Sequence, residues 1–201
     1  MKIFIDISSD KIGIYGTWDP FFLERNDVDK QLWKILVEKD KEYWIDECLV
    51  LNWPWGFTNL RVWTLALNLL KTLKNETITF FTISKPELYS IFYKKWWIPR
   101  YWILYIGQKT NVWLRDLIES KLIKMIKKTD IAEEEKIYWE LFLDQVYDNK
   151  YFENNNALSF NYKNWNILFD QDENKTINRK ELIFNKVDKL EANYMIEPNV
   201  S

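Results

Sequence analysis

The chain has 201 residues, of which 47% are hydrophobic and 29% charged, with a net charge of −2 at pH 7. This is a globular balance, long enough for one ordinary domain or two small lobes, and it excludes a disordered chain. The near-neutral charge excludes the broad basic footprint of a principal nucleic-acid grip, and the absence of histidine removes His-based zinc sites, Ser-His-Asp and Cys-His pairs and HExxH peptidase chemistry.

At the start, Ile3, Phe4 and Ile5 meet Asp6 at once, too short an apolar run for a signal peptide. No later apolar run approaches the roughly 18 residues that a bilayer needs, so a cytoplasmic protein without membrane contact is expected. Residues 2–6 and 11–16 are β-branched runs joined by the polar turn Ser8-Ser9-Asp10, a hairpin pattern. A third strand is expected over 21–25. Residues 29–39 carry Leu32, Ile35 and Leu36 at helical spacing. Residues 47–51 form a buried strand in which Cys48 is a reduced thiol without a histidine to activate it.

The loop 52–58 leads into the clearest helix, 59–74. Leu60, Val62, Leu65, Ala66, Leu67, Leu69, Leu70 and Leu73 cover nearly its whole circumference, so it must be buried on several sides, within the domain or against another chain. Thr58 is placed to cap it. Arg61, a cation in the first turn, opposes the macrodipole and calls for a carboxylate or a partner. A strand over 78–83 follows, and Ser84-Lys85-Pro86-Glu87 is a capping box opening a helix toward Lys94.

Residues 101–106 look like the first strand of a second lobe, with another over 111–115. Helical periodicity is read through 116–127 and again through 131–146, where Asp130 can cap. Residues 147–156 are polar and Asn-rich, 158–169 offer strand material, and 178–190 close the chain as a helix. No internal repeat or low-complexity linker is visible. Strand, hairpin, helix, strand, helix is the order of the ribonuclease-H-like half of an actin-type fold. The expectation is therefore a mixed α/β sheet with helices in two lobes, 1–99 and 100–201, the second diverged; a simple doubly wound fold is the alternative.

The composition carries one anomaly. Tryptophan occurs 12 times and glycine only 4 times, where ordinary usage of about 7% would give about 14 glycines. Together the two counts restore that usage. Trp18, Trp53, Trp55, Trp96, Trp97 and Trp165 also stand in turn contexts beside Asn, Asp and Pro, where positive φ favours glycine and an indole is costly. Abundant Lys, Asn and Ile with little Ala fit an AT-rich gene. Many of the tryptophans are therefore read as UGA codons that the source organism translates as glycine. A Trp-rich carbohydrate- or peptide-binding face is the competing reading.

The informative motif runs from Leu51 to Trp63. With its tryptophans read as glycine it becomes L-N-G-P-G-G-F-T-N-L-R-V-G, which resembles the G-P-G-S-F-T-G-L-R signature of the TsaB (YeaZ-like) family. Pro54, Phe57, Thr58, Leu60 and Arg61 match as they stand. Trp53 and Trp55 fall on family glycines, while Gly56 and Asn59 depart from the pattern. Ile5-Asp6-Ile7-Ser8 and the segment around Tyr194 are weaker echoes, and the second half of the chain resembles the family thinly. The resemblance implies a non-catalytic subunit of the machinery that makes threonylcarbamoyl-adenosine on tRNA. It would bind a catalytic TsaD-type subunit through Pro54, Phe57, Thr58, Leu60, Arg61, Leu65 and Leu69. Contact with a TsaE-type ATPase in the assembled complex is also implied, and tRNA would be met only indirectly. Members of such families can self-associate when alone. No cofactor or metal is implied.

Two competing sites have weaker patterns. Asp6 and Asp10 flank the turn where actin-like ATPases hold phosphate and magnesium, but residues 8–11 contain no glycine to build a phosphate nest, and Gly107 stands without glycine or carboxylate neighbours. There is no GxxxxGK[ST] and no GxGxxG, so a degenerate ATPase is a minority reading. Residues 170–181 have an EF-hand register, with Asp170, Asp172, Asn174, Thr176 and Glu181 at positions 1, 3, 5, 7 and 12. Lys175 stands where the sharp turn needs glycine, and no second loop is present. The favoured reading is a polar turn followed by a last helix capped by Asn178 with Glu181 at N3.

Overall fold

The computed structural model describes residues 1–7, 11–24, 27–52, 57–96, 102–106, 111–116, 121–133, 141–144, 157–158, 160–163, 165–169 and 172–191. The chain divides into two compact units, Met1–Lys85 with Phe184–Ser201, and Pro86–Ile183. The end of the chain thus belongs with its beginning.

In the first unit, β1 (Lys2–Asp6), β2 (Lys11–Tyr15) and β3 (Phe21–Glu24) form an antiparallel meander. α1 (Val28–Tyr43) then leads to β4 (Glu47–Asn52), which lies parallel to β1. α2 (Phe57–Leu73) leads to β5 (Thr79–Ser84), parallel to β4. The sheet order β3-β2-β1-β4-β5 is extended by β14 (Asn185–Val187), antiparallel to β5. β-branched alternation explains the central strands. Ile3, Ile5, Ile7, Ile12, Ile14, Cys48 and Val50 all join one core, as period-2 side chains on one face of a sheet must. Helix α1 meets that face with Val28, Leu32 and Leu36 at i, i+4 and i+8. Helix α2 meets it with Trp63, Ala66, Leu67 and Leu70. The opposite face is aromatic, with Phe4 against Tyr15 at 5.7 Å and Phe184 at 6.4 Å between ring centres. Asp6 is buried there at the end of β1.

The ends of the two helices are joined by one ionic knot. Lys74 Nζ donates to Asp40 Oδ1 and to the Ile45 carbonyl, each at 2.5 Å. The same carboxylate accepts from the Ile45 N–H at 2.9 Å. The ammonium also lies 4.1 Å from the Trp44 ring centre. Both charged side chains are largely buried, so the pair holds the α1 exit and the start of β4 to the end of α2.

In the second unit, β6 (Trp102–Ile106), β7 (Asn111–Asp116) and β8 (Lys121–Lys127) form an antiparallel meander. β9 (Leu141–Asp144) lies parallel to β6, and β10 (Ala157–Leu158) parallel to β9. The order β8-β7-β6-β9-β10 therefore repeats, strand for strand and direction for direction, the order β3-β2-β1-β4-β5. A repeat invisible in the sequence is present in the topology. A separate three-stranded sheet of β11 (Phe160–Lys163), β12 (Asn166–Phe169) and β13 (Asp172–Asn178) packs on α3 (Lys85–Trp96) through an aromatic cluster. Tyr89 lies 4.5 Å from Phe160 and Phe92 lies 5.6 Å from Phe169. Rings at such distances add about 0.5–1.5 kcal/mol per pair beyond their burial.

Three expected helices are corrected. Residues 121–127, read as part of a helix, form β8, because the exposed edge of β7 offers a full ladder of backbone partners. Residues 141–144, read as the end of another, form β9. The chain's last part is not a helix either. Asn178 does cap, accepting the Lys180 N–H, but only one 3-10 turn, Arg179–Glu181, follows, and the chain then pairs with β5 as β14. Thr58 lies inside the first turn of α2, which begins at Phe57, rather than ahead of it.

Candidate functional site

Helix α2 is the part of the motif that the structure describes furthest. One side of it faces the sheet, with Trp63 and Leu67 at 1% exposure. The other side is apolar too, but faces outward. Leu65 is 69% exposed, Leu69 45% and Leu73 64%. Their spacing of i, i+4 and i+8 places them in one stripe along the helix. Val62 is partly buried against the core. The all-round apolar sequence of α2 thus resolves into two faces, one already covered by its own sheet and one uncovered.

Of the residues expected at an interface, Leu65 and Leu69 lie in this stripe and Leu73 extends it. Arg61 is exposed and is the fifth residue of the helix, past the first turn where the macrodipole would oppose it. Phe57, Thr58 and Leu60 lie in the opening turn of α2. Pro54 lies outside the described residues, as do Trp53, Trp55 and Gly56. Leu73 was legible in the sequence as apolar; its outward direction follows only from seeing which side of α2 meets β1 and β4.

The competing sites are placed as follows. Asp10, Gly107 and Asp170 lie outside the described residues. Asp172, Asn174 and Thr176 of the EF-hand register stand on β13, an extended strand paired with β12. Asp172 accepts the Asn174 N–H at 2.9 Å and pairs with Lys175 at 3.5 Å. These contacts hold its carboxyl below the usual range, the backbone hydrogen bond contributing most. Glu181 is paired with Lys95 at 2.9 Å. On a strand these alternate residues line one face about 6.8 Å apart and do not wrap around an ion, which disfavours the calcium-loop reading. Among the described residues no group of three or more acidic or cysteine side chains could hold a metal, and no helix is long and apolar enough to cross a membrane. Burial raises the Cys48 thiol far above its ordinary value, which leaves it protonated and unreactive.

A meander, a parallel crossover strand and a second parallel strand, in the order 3-2-1-4-5 and present twice, define the ribonuclease-H-like units of an actin-type α/β fold. No protein-family profile matches the chain, and no curated protein matches it. Among solved structures, the chain is similar to YeaZ from Pseudomonas aeruginosa, with a TM-score of 0.42 and 11% identity over 64% of this chain and 68% of that one. It is also similar to an uncharacterized protein with similarity to peptidase YeaZ from Pseudomonas aeruginosa, with a TM-score of 0.42 and 12% identity over 71% of this chain and 74% of that one. The fold statement rests on the strand order itself.

Proposed function

We propose that this chain is a non-catalytic docking subunit of the tRNA threonylcarbamoyladenosine machinery, binding and supporting a catalytic TsaD-type subunit. The observation that carries the reading is the uncovered stripe Leu65, Leu69 and Leu73 on the helix that begins within the TsaB-like motif. Three exposed leucines at i, i+4 and i+8 have the anchor spacing by which an amphipathic helix packs against another protein surface. The non-catalytic part of the reading is supported by the lack of histidine in the chain and by the burial of its one cysteine.

The test is co-expression with the catalytic homologue from the same genome, followed by gel filtration with mass detection. A one-to-one complex that Leu65→Asp or Leu69→Asp abolishes, while each variant alone keeps the parent's circular dichroism and melting point, supports the reading. Separate elution over a wide concentration range refutes it. A stable homodimer that excludes the catalytic protein would assign the stripe to self-association instead.

A further inference from the structure

We infer that the protein made in its own cell carries glycine, not tryptophan, at positions 44 and 63. The inference goes beyond the proposed function and does not depend on it.

Position 44 ends α1. Trp44 has φ 52° and ψ 81°, in the left-handed region, and its N–H donates to the Asp40 carbonyl at 2.8 Å. This is the single-bond left-handed stop of a helix, a position held mostly by glycine because a Cβ collides with the neighbouring carbonyl. A bulky side chain there is an outlier. The indole does not compensate by packing into the core: it is 65% exposed. Its one described ring contact is the ammonium of Lys74, which Asp40 and the Ile45 carbonyl already hold.

Position 63 is a different environment that asks for the same residue. Trp63 is 1% exposed, wedged where α2 crosses Ile7, Val50 and Asn52 at the ends of β1 and β4. Its Nε1–H has no hydrogen-bond partner, and neither has the Asn52 Oδ1 that lines the same crevice. Buried indoles ordinarily place that N–H on an acceptor, and an unmade buried bond is the costly case. A glycine would remove the orphan donor and let the helix close on the sheet.

Geometry also sorts the other positions. Asn75 and Glu76 share positive φ, so that angle alone does not mark a recoded site. Trp18 and Trp165 do not have it, so the turn argument from sequence fails at both. Trp18 and Trp96 share the orphaned Nε1–H. The conjunction of a 12-to-4 tryptophan-to-glycine count with one disfavoured cap and one unsatisfied core indole is what a UGA codon read as glycine produces.

Two measurements decide it. The gene is sequenced at both codons, and the protein from its native source is digested with trypsin. The peptides spanning residues 42–61 and 62–71 are then weighed and fragmented. UGA codons with glycine in both peptides are expected. UGG at either codon, or a fragment spectrum that places tryptophan at residue 44 or 63 despite a UGA codon, overturns the assignment at that position.

Discussion

Replacing Leu65, Leu69 and Leu73 together by alanine isolates what the stripe contributes to binding. Burying a leucine side chain completely contributes about 1.5–3 kcal/mol. The folded subunit has already gained the covered share, so a partner can add only the exposed share, 69%, 45% and 64% respectively. That leaves about 1.5 kcal/mol each for Leu65 and Leu73 and about 1 kcal/mol for Leu69, or about 4 kcal/mol in all. The cost of bringing two bodies together is the same for parent and variant and cancels in the comparison. Affinity for the catalytic partner should therefore fall by about 1000-fold, while subunit stability falls only by the share the fold already covers, about 2.5 kcal/mol for the three together. Isothermal titration calorimetry gives the first quantity and urea denaturation the second. A complex weakened less than about 10-fold would refute the docking argument, and a subunit destabilised by more than about 5 kcal/mol would show that the leucines serve the fold.

Other perturbations follow from the same structure. Lys74→Met strands the Asp40 carboxylate with only the Ile45 N–H and should cost about 3 kcal/mol; adding Asp40→Leu should recover most of it, and a double-mutant cycle by denaturant titration with no coupling would disprove the knot. Cys48 should resist iodoacetamide in the native protein and react only on unfolding, as intact-mass analysis of alkylation would report. Calcium should give no heat and no shift in melting, because Asp172, Asn174 and Thr176 lie along β13 and Glu181 is held by Lys95; millimolar affinity would contradict that reading. Asp46 is held below its ordinary value by the N-terminal ammonium at 2.8 Å. Its stabilising contribution is therefore present above the unfolded carboxylate range and lost as pH falls through the lower folded value. Asp46→Asn should flatten the acid limb of stability below about pH 4, and an unchanged limb would exclude the contact.

Much of the first unit is legible from residue order. Alternation in Ile3, Ile5 and Ile7, and the helical spacing of Val28, Leu32 and Leu36, each point to one period and one buried face. The second unit hides its topology because its strands lack that contrast. In β8, Ile123 and Met125 are exposed while Ile126 is buried, so the run fits a helix period as well as a strand period, and only the neighbouring β7 decides. The closing segment fails for a related reason: Ile183 is 86% exposed, so the apolar positions between Leu182 and Leu190 do not form one helical face. At the candidate site, the sequence shows that α2 has apolar residues all round, but not which of them the sheet has already claimed.

The place of β14 has a consequence for how the protein is made. β5 pairs with it along the outer edge of the first sheet, yet β14 follows β5 by about 100 residues of chain. At about 5–20 residues per second, a ribosome leaves that edge bare for roughly 5–20 s. During that interval a nascent chain presents an unpaired ladder, Phe80 and Phe81 included, to any other strand in reach. Truncated products that stop before Asn185 would keep that edge permanently, and are the species in which aggregation should begin.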